Sequence, residues 1–351
     1  MLISFYFYFY FFKKVSFMSL FFIIIVIIKY LSLILPLLLA VAMLTLSERK
    51  LLAAIQRRVG PNVVGVFGLG QAIADGGKLL LKEPIIPLSS YFFTFLLMPL
   101  IFMFVCFGSW LVIPFGENSI TVVNHTGLLF IFGLSSLSVY ALMFSGWSSN
   151  SLYALLGGLR SAAQMIAYEV VIGFVLVNVV IFSGSLNLNK ICLMQQHVYF
   201  ILPLLPVFLF FLISSLAELN RAPFDLPEAE GELVAGYNVE YSSFSFALFF
   251  LAEYGNIILM SIVLAILFLG GWLPIIFFNN FIFFDFYIYL SFVFKILLIL
   301  FIFIGIRALL PRYRYDQLMF LGWKVLLPLT LFWLILTIII LFIFKWLPIS
   351  I

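Results

Sequence analysis

The chain has 351 residues, a net charge of +4, 66% hydrophobic residues and only 9% charged ones, with a mean hydropathy of +1.28. A soluble domain of this size cannot hide so much apolar surface, so composition excludes that class and predicts an all-α polytopic membrane protein. A membrane β-barrel is excluded as well: its strands alternate apolar and polar residues, whereas these runs are apolar on every side for about 20 residues.

The first 17 residues form an aromatic N-terminal extension. It lacks the basic start and small-residue cleavage site of a cleavable signal, and it is not an Arg/Ser-rich transit peptide. Eight candidate spans follow, at roughly 18–46, 91–113, 126–144, 162–183, 199–219, 243–270, 286–308 and 325–346. Each approaches or exceeds the ~20 residues that cross a bilayer core; the first and sixth must tilt or project beyond it. Pro36 is placed to kink the first. The expected organisation is one membrane domain over 1–351, with an amphipathic connection at 47–90, an acidic one at 220–242 and a basic one at 307–324.

The connection at 47–90 is patterned. Gln71, Asp75, Lys78 and Lys82 fall on one helical face, and Leu69, Ile73, Gly76 and Leu80 recur on the other. This predicts a surface amphipathic helix, which either lies on the membrane and merely orients the bundle or closes over a cavity. Arg49, Lys50, Arg57, Arg58, Lys78 and Lys82 of this connection, Arg160 of the third, Arg221 of the fifth, and Arg307, Arg312, Arg314 and Lys324 of the seventh hold most of the basic residues. The alternate connections contain only Lys190. The positive-inside rule puts the odd connections on the negative side and both termini on the other. The small net charge gives no reason to expect nucleic acid as a partner.

Six of the fourteen acidic residues fall between Glu218 and Glu240: Glu218, Asp225, Glu228, Glu230, Glu232 and Glu240. A carboxylate beside or inside a membrane is costly unless solvated, paired or used. Asp225 and Glu228 have the spacing of a helix N-cap and its third residue, with Pro227 tolerated in the first turn, so one reading is a capped and solvated short helix. That reading leaves out Glu218 and Glu240 at the ends of the flanking spans. Acids this close raise one another's proton affinity, which suits proton uptake. Glu169 and Glu253 lie inside spans, where an acid is either functional or paired with a buried base; Lys295 is available for such a pair. Together, Glu169, Glu218, Glu240 and Glu253 read as an acidic file from the negative-side connection into the membrane. Cys106 and Cys192 are read as packing residues, and His125 and His197 lie in different connections, so neither a metal site nor a bis-His haem is expected.

Five stretches carry a resemblance: SERKLLAAIQRRVGPN from Ser47, GLGQAIADGGKLLLKE from Gly68, GWSSNSLYALLGGLRSAAQMIAYEV from Gly146, AELNRAPFDLPEAEGELVAGYNVEY with FALFFLAEY from Ala217, and PRYRYDQLMFLGWKVLLPL from Pro311. In order and over about Leu46 to Leu329, they strongly resemble the chain 1, or H-type, family of membrane subunits of proton-pumping NADH:quinone oxidoreductase, respiratory complex I. That family has eight membrane helices. The resemblance implies a subunit that walls the quinone chamber and starts the proton path, not catalytic by itself. It implies a quinone-chamber set of Glu48, Arg49, Arg57, Arg221, Phe224 and Asp225, and a proton path through Glu169, Glu218, Glu228, Glu230, Glu232, Glu240 and Glu253. Ubiquinone would be the substrate, with no cofactor bound by this chain. NADH, FMN and iron–sulfur clusters would belong to partner subunits. Partners would be the peripheral-arm quinone-module subunits, neighbouring membrane-arm subunits and membrane lipids.

The chain departs from the family pattern at Leu152, where a basic residue is usual, at Gly305-Ile306, and in the aromatic extension Met1 to Lys14. The 45 phenylalanines fit an AT-rich organelle genome and favour the mitochondrial inner membrane over a bacterial inner membrane. Two rivals share the intramembrane acids: a stand-alone secondary cation or solute transporter, which would work when purified alone, and a structural anchor, for instance in a related membrane-bound hydrogenase-type complex.

Overall fold

A computed structural model describes residues 31–116, 125–226, 235–274 and 284–345. Within these the chain is all-α, with no strand, and seven helices are long and apolar enough to cross a membrane. In chain order the elements are α1 (Leu31–Ile55), α2 (Gln71–Leu81), α3 (Phe92–Ser109, with a 3-10 turn to Val112), α4 (Gly127–Ser148), α5 (Leu152–Ser183), α6 (Leu188–Met194), α7 (Leu205–Glu218), α8 (Ser243–Phe268), α9 (Phe284–Leu309) and α10 (Tyr315–Ile343). The aromatic extension, the first part of the first span, and Glu228, Glu230 and Glu232 lie outside the described residues.

Seven of the eight expected spans are present as long helices, and the fifth is corrected to the 14-residue α7. At 1.5 Å per residue α7 extends roughly 21 Å, short of a ~30 Å hydrocarbon core. Proline sets its start. Pro206 fits the first helical turn but would clash with the carbonyl four residues earlier, so the helix cannot grow toward Pro203. The preceding turns are held against the bundle by hydrogen bonds: Ile201 N–H donates to Phe268 O at 3.0 Å and Gln195 Oε1 accepts from Phe200 N–H at 3.3 Å. Irregular backbone is tolerated at membrane depth where protein satisfies it.

Three helices extend about ten residues past their expected ends, and α4 extends to Ser148. α1 runs through Pro36 to Ile55, α5 begins at Leu152, and α10 begins at Tyr315, so Arg160 and Lys324 are helical rather than in loops. α10 contains a π-helical segment, Leu321–Leu326, just before Pro328. A wider turn there accommodates the proline ring, which would otherwise meet the carbonyl four residues back.

The contacts gather the odd connections at one end of the bundle. Arg49 pairs with Asp75, Asn150 Nδ2 donates to Ser89 O, Ile85 N–H donates to Ser242 Oγ, and Arg312 pairs with Asp225. At the other end Leu128 N–H reaches Leu186 O, and Gln195 Nε2 donates to Ile266 O and Leu267 O. Neighbouring spans therefore run antiparallel. α3, α4 and α5 pack in sequence, α3 also packs on α8, and α5 packs on α7 and α10.

α2 forms as the pattern predicts, but its faces are arranged differently from a helix packed by its apolar side. Gln71 and Asp75 turn toward α1, while Ile73 and Leu80 are exposed. The apolar face of α2 is directed away from the chain.

Candidate functional site

Glu48 is the hub of the site. It lies near the end of α1, just beyond the apolar run, and is 6% exposed. Its Oε1 accepts from Arg221 Nη1 at 3.2 Å and from Arg307 Nη1, and its Oε2 accepts from the Tyr254 hydroxyl at 2.7 Å. Four elements thus converge on one carboxylate: α1, the turn after α7, α8 and α9. Arg221 also lies over the Tyr254 ring, 4.3 Å from its centroid. Burial opposes the Arg221 charge, but Tyr254, Glu48 and Glu253 outweigh it and raise its pKa, so the guanidinium stays charged. Two guanidiniums against one carboxylate leave the hub net positive, and such a group is held in place only because each charge is paired.

One cavity adjoins the hub, and a second shares the Leu44 wall with the first. A small one, about 20 Å³, is lined by Glu48, Arg221 and Arg307. A larger one, about 550 Å³, lies between α1, the end of α3, α8 and α9, against Leu37, Met43, Trp110, Ile262 and Leu297. Leu44 lines both. A nearly wholly apolar space therefore abuts a charged one, which is the division an amphiphile with a polar head requires.

Arg49 faces the opposite way from Glu48. It is half exposed and binds Asp75 at 2.7 Å, tying α1 to α2. Arg57 is exposed at the end of α1, with a left-handed φ of 57°. Neither joins the Glu48 hub. Phe224 is 4% exposed, stacked on Tyr313 (centroids 5.5 Å apart, 22° between planes) and tilted against Tyr168. Gln164 on α5 fixes this turn by donating to both Ala217 O and Phe224 O at 2.8 Å. Asp225 binds Arg312 at 3.1 Å, and its buried Oδ1 has no hydrogen-bond partner among the described residues. The short helix expected after Asp225 falls in 227–234, outside those residues.

The intramembrane acids occupy two places. Glu218, 8% exposed at the end of α7, interacts electrostatically with Glu169 on α5. Two cavities of about 30 Å³ meet at Glu218 and Ser135. One carries the polar groups Ser109, Ser138 and Asn256, and the other is lined chiefly by apolar residues of α4 to α8, including Leu128, Leu176 and Leu188. Either is large enough for a water, and the first has more of the polar partners that hold one. Glu253 on α8 is half-buried, accepts from the Tyr237 hydroxyl and acts on Arg221. Glu240 is half-buried in the turn before α8.

Lys295 pairs with neither Glu169 nor Glu253, correcting that expectation. It donates to the carbonyls of Leu269, Gly271 and Leu273 at 2.6, 3.0 and 2.6 Å. It caps the end of α8, where carbonyls have no helical partner. Among the described residues no three His, Cys, Asp or Glu side chains are grouped as metal ligands.

Sequence reasoning places Arg307 with the basic connection only and passes over Tyr237 and Tyr254. One signal for Arg307 is available: like Glu48, it directly follows an apolar span on the same side, so the two lie at matching depth. Nothing local marks either tyrosine.

A family profile described as NADH dehydrogenase matches residues 28–338. The chain is similar to "NADH-ubiquinone oxidoreductase chain 1" of Chondrus crispus, 57% identical over 322 residues, covering 92% of this chain and 98% of that one. The same-named protein of Arabidopsis thaliana is 54% identical over 324 residues, covering 91% and 97%. The H-type subunit of the NADH-quinone oxidoreductase of Paramagnetospirillum magneticum is 52% identical over 330 residues, covering 92% and 94%.

Proposed function

The chain belongs to the NADH dehydrogenase family and is a core membrane subunit of complex I, and from that premise we propose that it walls the quinone-binding chamber and couples quinone reduction to proton translocation. The observation that carries this reading is the Glu48 hub beside the 550 Å³ apolar cavity. A quinone has an apolar tail and a polar head, and the two spaces sharing Leu44 match that division.

In this reading the chain does no covalent chemistry. NADH, FMN and the iron–sulfur clusters belong to partner subunits of the peripheral arm, and ubiquinone is the substrate. Reduction of the headgroup changes charge near Arg49, Arg57, Phe224 and Asp225 and near the Glu48–Arg221–Arg307 group. Arg221 interacts with both Glu48 and Glu253, so a change at the first alters the cost of charging the second. Glu218 and Glu169, with Glu240 and the loop acids Glu228, Glu230 and Glu232, extend the relay. A one-unit pKa shift is worth about 1.4 kcal/mol, so a few coupled acids carry a useful signal. The chain would work in the mitochondrial inner membrane, in contact with neighbouring membrane-arm subunits and lipids.

Glu253→Gln in the assembled complex tests the relay. It should leave assembly intact and lower quinone-coupled turnover and proton pumping together; normal pumping would remove Glu253 from the path. Substitution of Arg49 or Asp225 tests the chamber role. A raised quinone KM supports it, while an assembly defect with unchanged KM returns the chain to the role of an anchor.

A further inference from the structure

Tyr237 sits in the short 3-10 turn Gly236–Asn238 that leads into α8. Its ring is 1% exposed and meets Phe249 edge-on, centroids 5.5 Å apart and planes at 72°. The backbone under it is equally confined. A Cβ added at Gly157 on α5 would stand 2.6 Å from Gly236 Cα and 2.8 Å from Tyr237 N, so helix and turn are in direct contact. A phenol buried this way needs a partner for its hydroxyl, and it donates to Glu253 Oε1.

The next residue along α8 has the matching arrangement. Tyr254 donates its hydroxyl to Glu48, and its ring carries Arg221. Arg221 thus interacts with two carboxylates, Glu48 and Glu253, and each carboxylate has its own tyrosine donor. A donated hydrogen bond favours the ionised carboxylate and fixes which oxygen accepts it.

We propose that Tyr237 is a positioning residue of the proton path: its hydroxyl holds the orientation of the Glu253 carboxylate, which stands one residue before Tyr254, the donor to Glu48. The proposal rests on the relay role assigned to Glu253. It concerns the hydroxyl alone, since the ring packs against Phe249 with or without it.

The test uses Tyr237→Phe, Glu253→Gln and the double variant in the assembled, membrane-embedded complex. Tyr237→Phe should assemble fully, keep the quinone KM, and lower quinone-coupled turnover roughly ten- to a hundredfold, the range expected for losing a hydrogen bond to a charged group. In redox-induced infrared difference spectra, the carboxyl band that disappears in Glu253→Gln should shift to higher wavenumber in Tyr237→Phe. The double variant should be no slower than Glu253→Gln alone. If Glu253→Gln is impaired while Tyr237→Phe keeps its rate and leaves the band unmoved, Tyr237 is a packing residue only and the proposal fails with the relay intact. If the two losses multiply, Tyr237 acts elsewhere and the proposal also fails. Normal pumping by Glu253→Gln defeats the relay reading itself.

Discussion

Glu48 and Arg307 are 259 residues apart in the chain and form an ion pair inside the bundle. Arg221 and Tyr254 complete the carboxylate's shell, so removing Glu48 strands two guanidiniums. Breaking a buried pair from one side costs about 3–5 kcal/mol, and the lower end applies here because Arg307 is 35% exposed. Glu48→Ala should sharply reduce the amount of assembled complex on native gels. Adding Arg307→Met should restore part of it by removing one unpaired charge. Normal assembly of the single variant would refute the hub.

The Arg49–Asp75 pair should behave differently. Its side chains are 52% and 40% exposed, and pairs in water contribute under about 1 kcal/mol. Asp75→Asn should leave assembly unchanged. Hydrogen exchange along Gln71–Leu81 should quicken, because α2 loses its tie to α1. Unaltered exchange would mean that packing alone holds the helix.

Gly157→Ala places a methyl group against the Gly236 backbone, where neither element has a flexible side chain to yield. Overpacking of this kind costs about 1–3 kcal/mol. The expected result is lower thermal stability of the complex with reduced coupled turnover, since the turn that carries Tyr237 must shift. Unchanged melting and turnover would show that α5 and the turn can separate freely.

Lys295→Met keeps the length of the side chain and removes its charge. The carbonyls of Leu269, Gly271 and Leu273 would lose a donor, at about 1–3 kcal/mol for a group left unsatisfied. Assembly should fall while the rate per assembled complex holds. A lower rate at full assembly would instead place Lys295 in the proton path.

Burial pushes the Cys192 thiol up to about 12. At pH 8 the thiol is therefore overwhelmingly protonated, and the thiolate is the reactive form. Cys192 should resist water-soluble maleimides in the native complex and react once it is unfolded, as read by mass spectrometry. Rapid native labelling would show that the α6 region opens.

Much of the fold was legible because bilayer physics is local. An apolar run must satisfy its own backbone, so it becomes a helix wherever it is long enough, as α3, α8 and α9 do. The misses were at ends: α1 and α5 extend into polar sequence that hydropathy assigned to loops, and α7 is shortened by Pro206. The site was legible only in part. Glu169 and Glu253 stood out as acids in apolar sequence, and Glu48 and Arg221 came through the resemblance, without Arg307 or Tyr254.

By itself the sequence determined an all-α membrane bundle, an amphipathic helix after the first span, and the positions of its costly charges, because hydropathy and helical periodicity are properties of neighbouring residues. The tertiary structure alone decided which charges meet. Residues 48, 221, 254 and 307 converge only when four elements pack with particular rotations, and the same packing sends Lys295 to backbone carbonyls instead of a glutamate. Pairing in a low-dielectric interior depends on distances of a few ångströms between segments remote in sequence, and no local pattern encodes them.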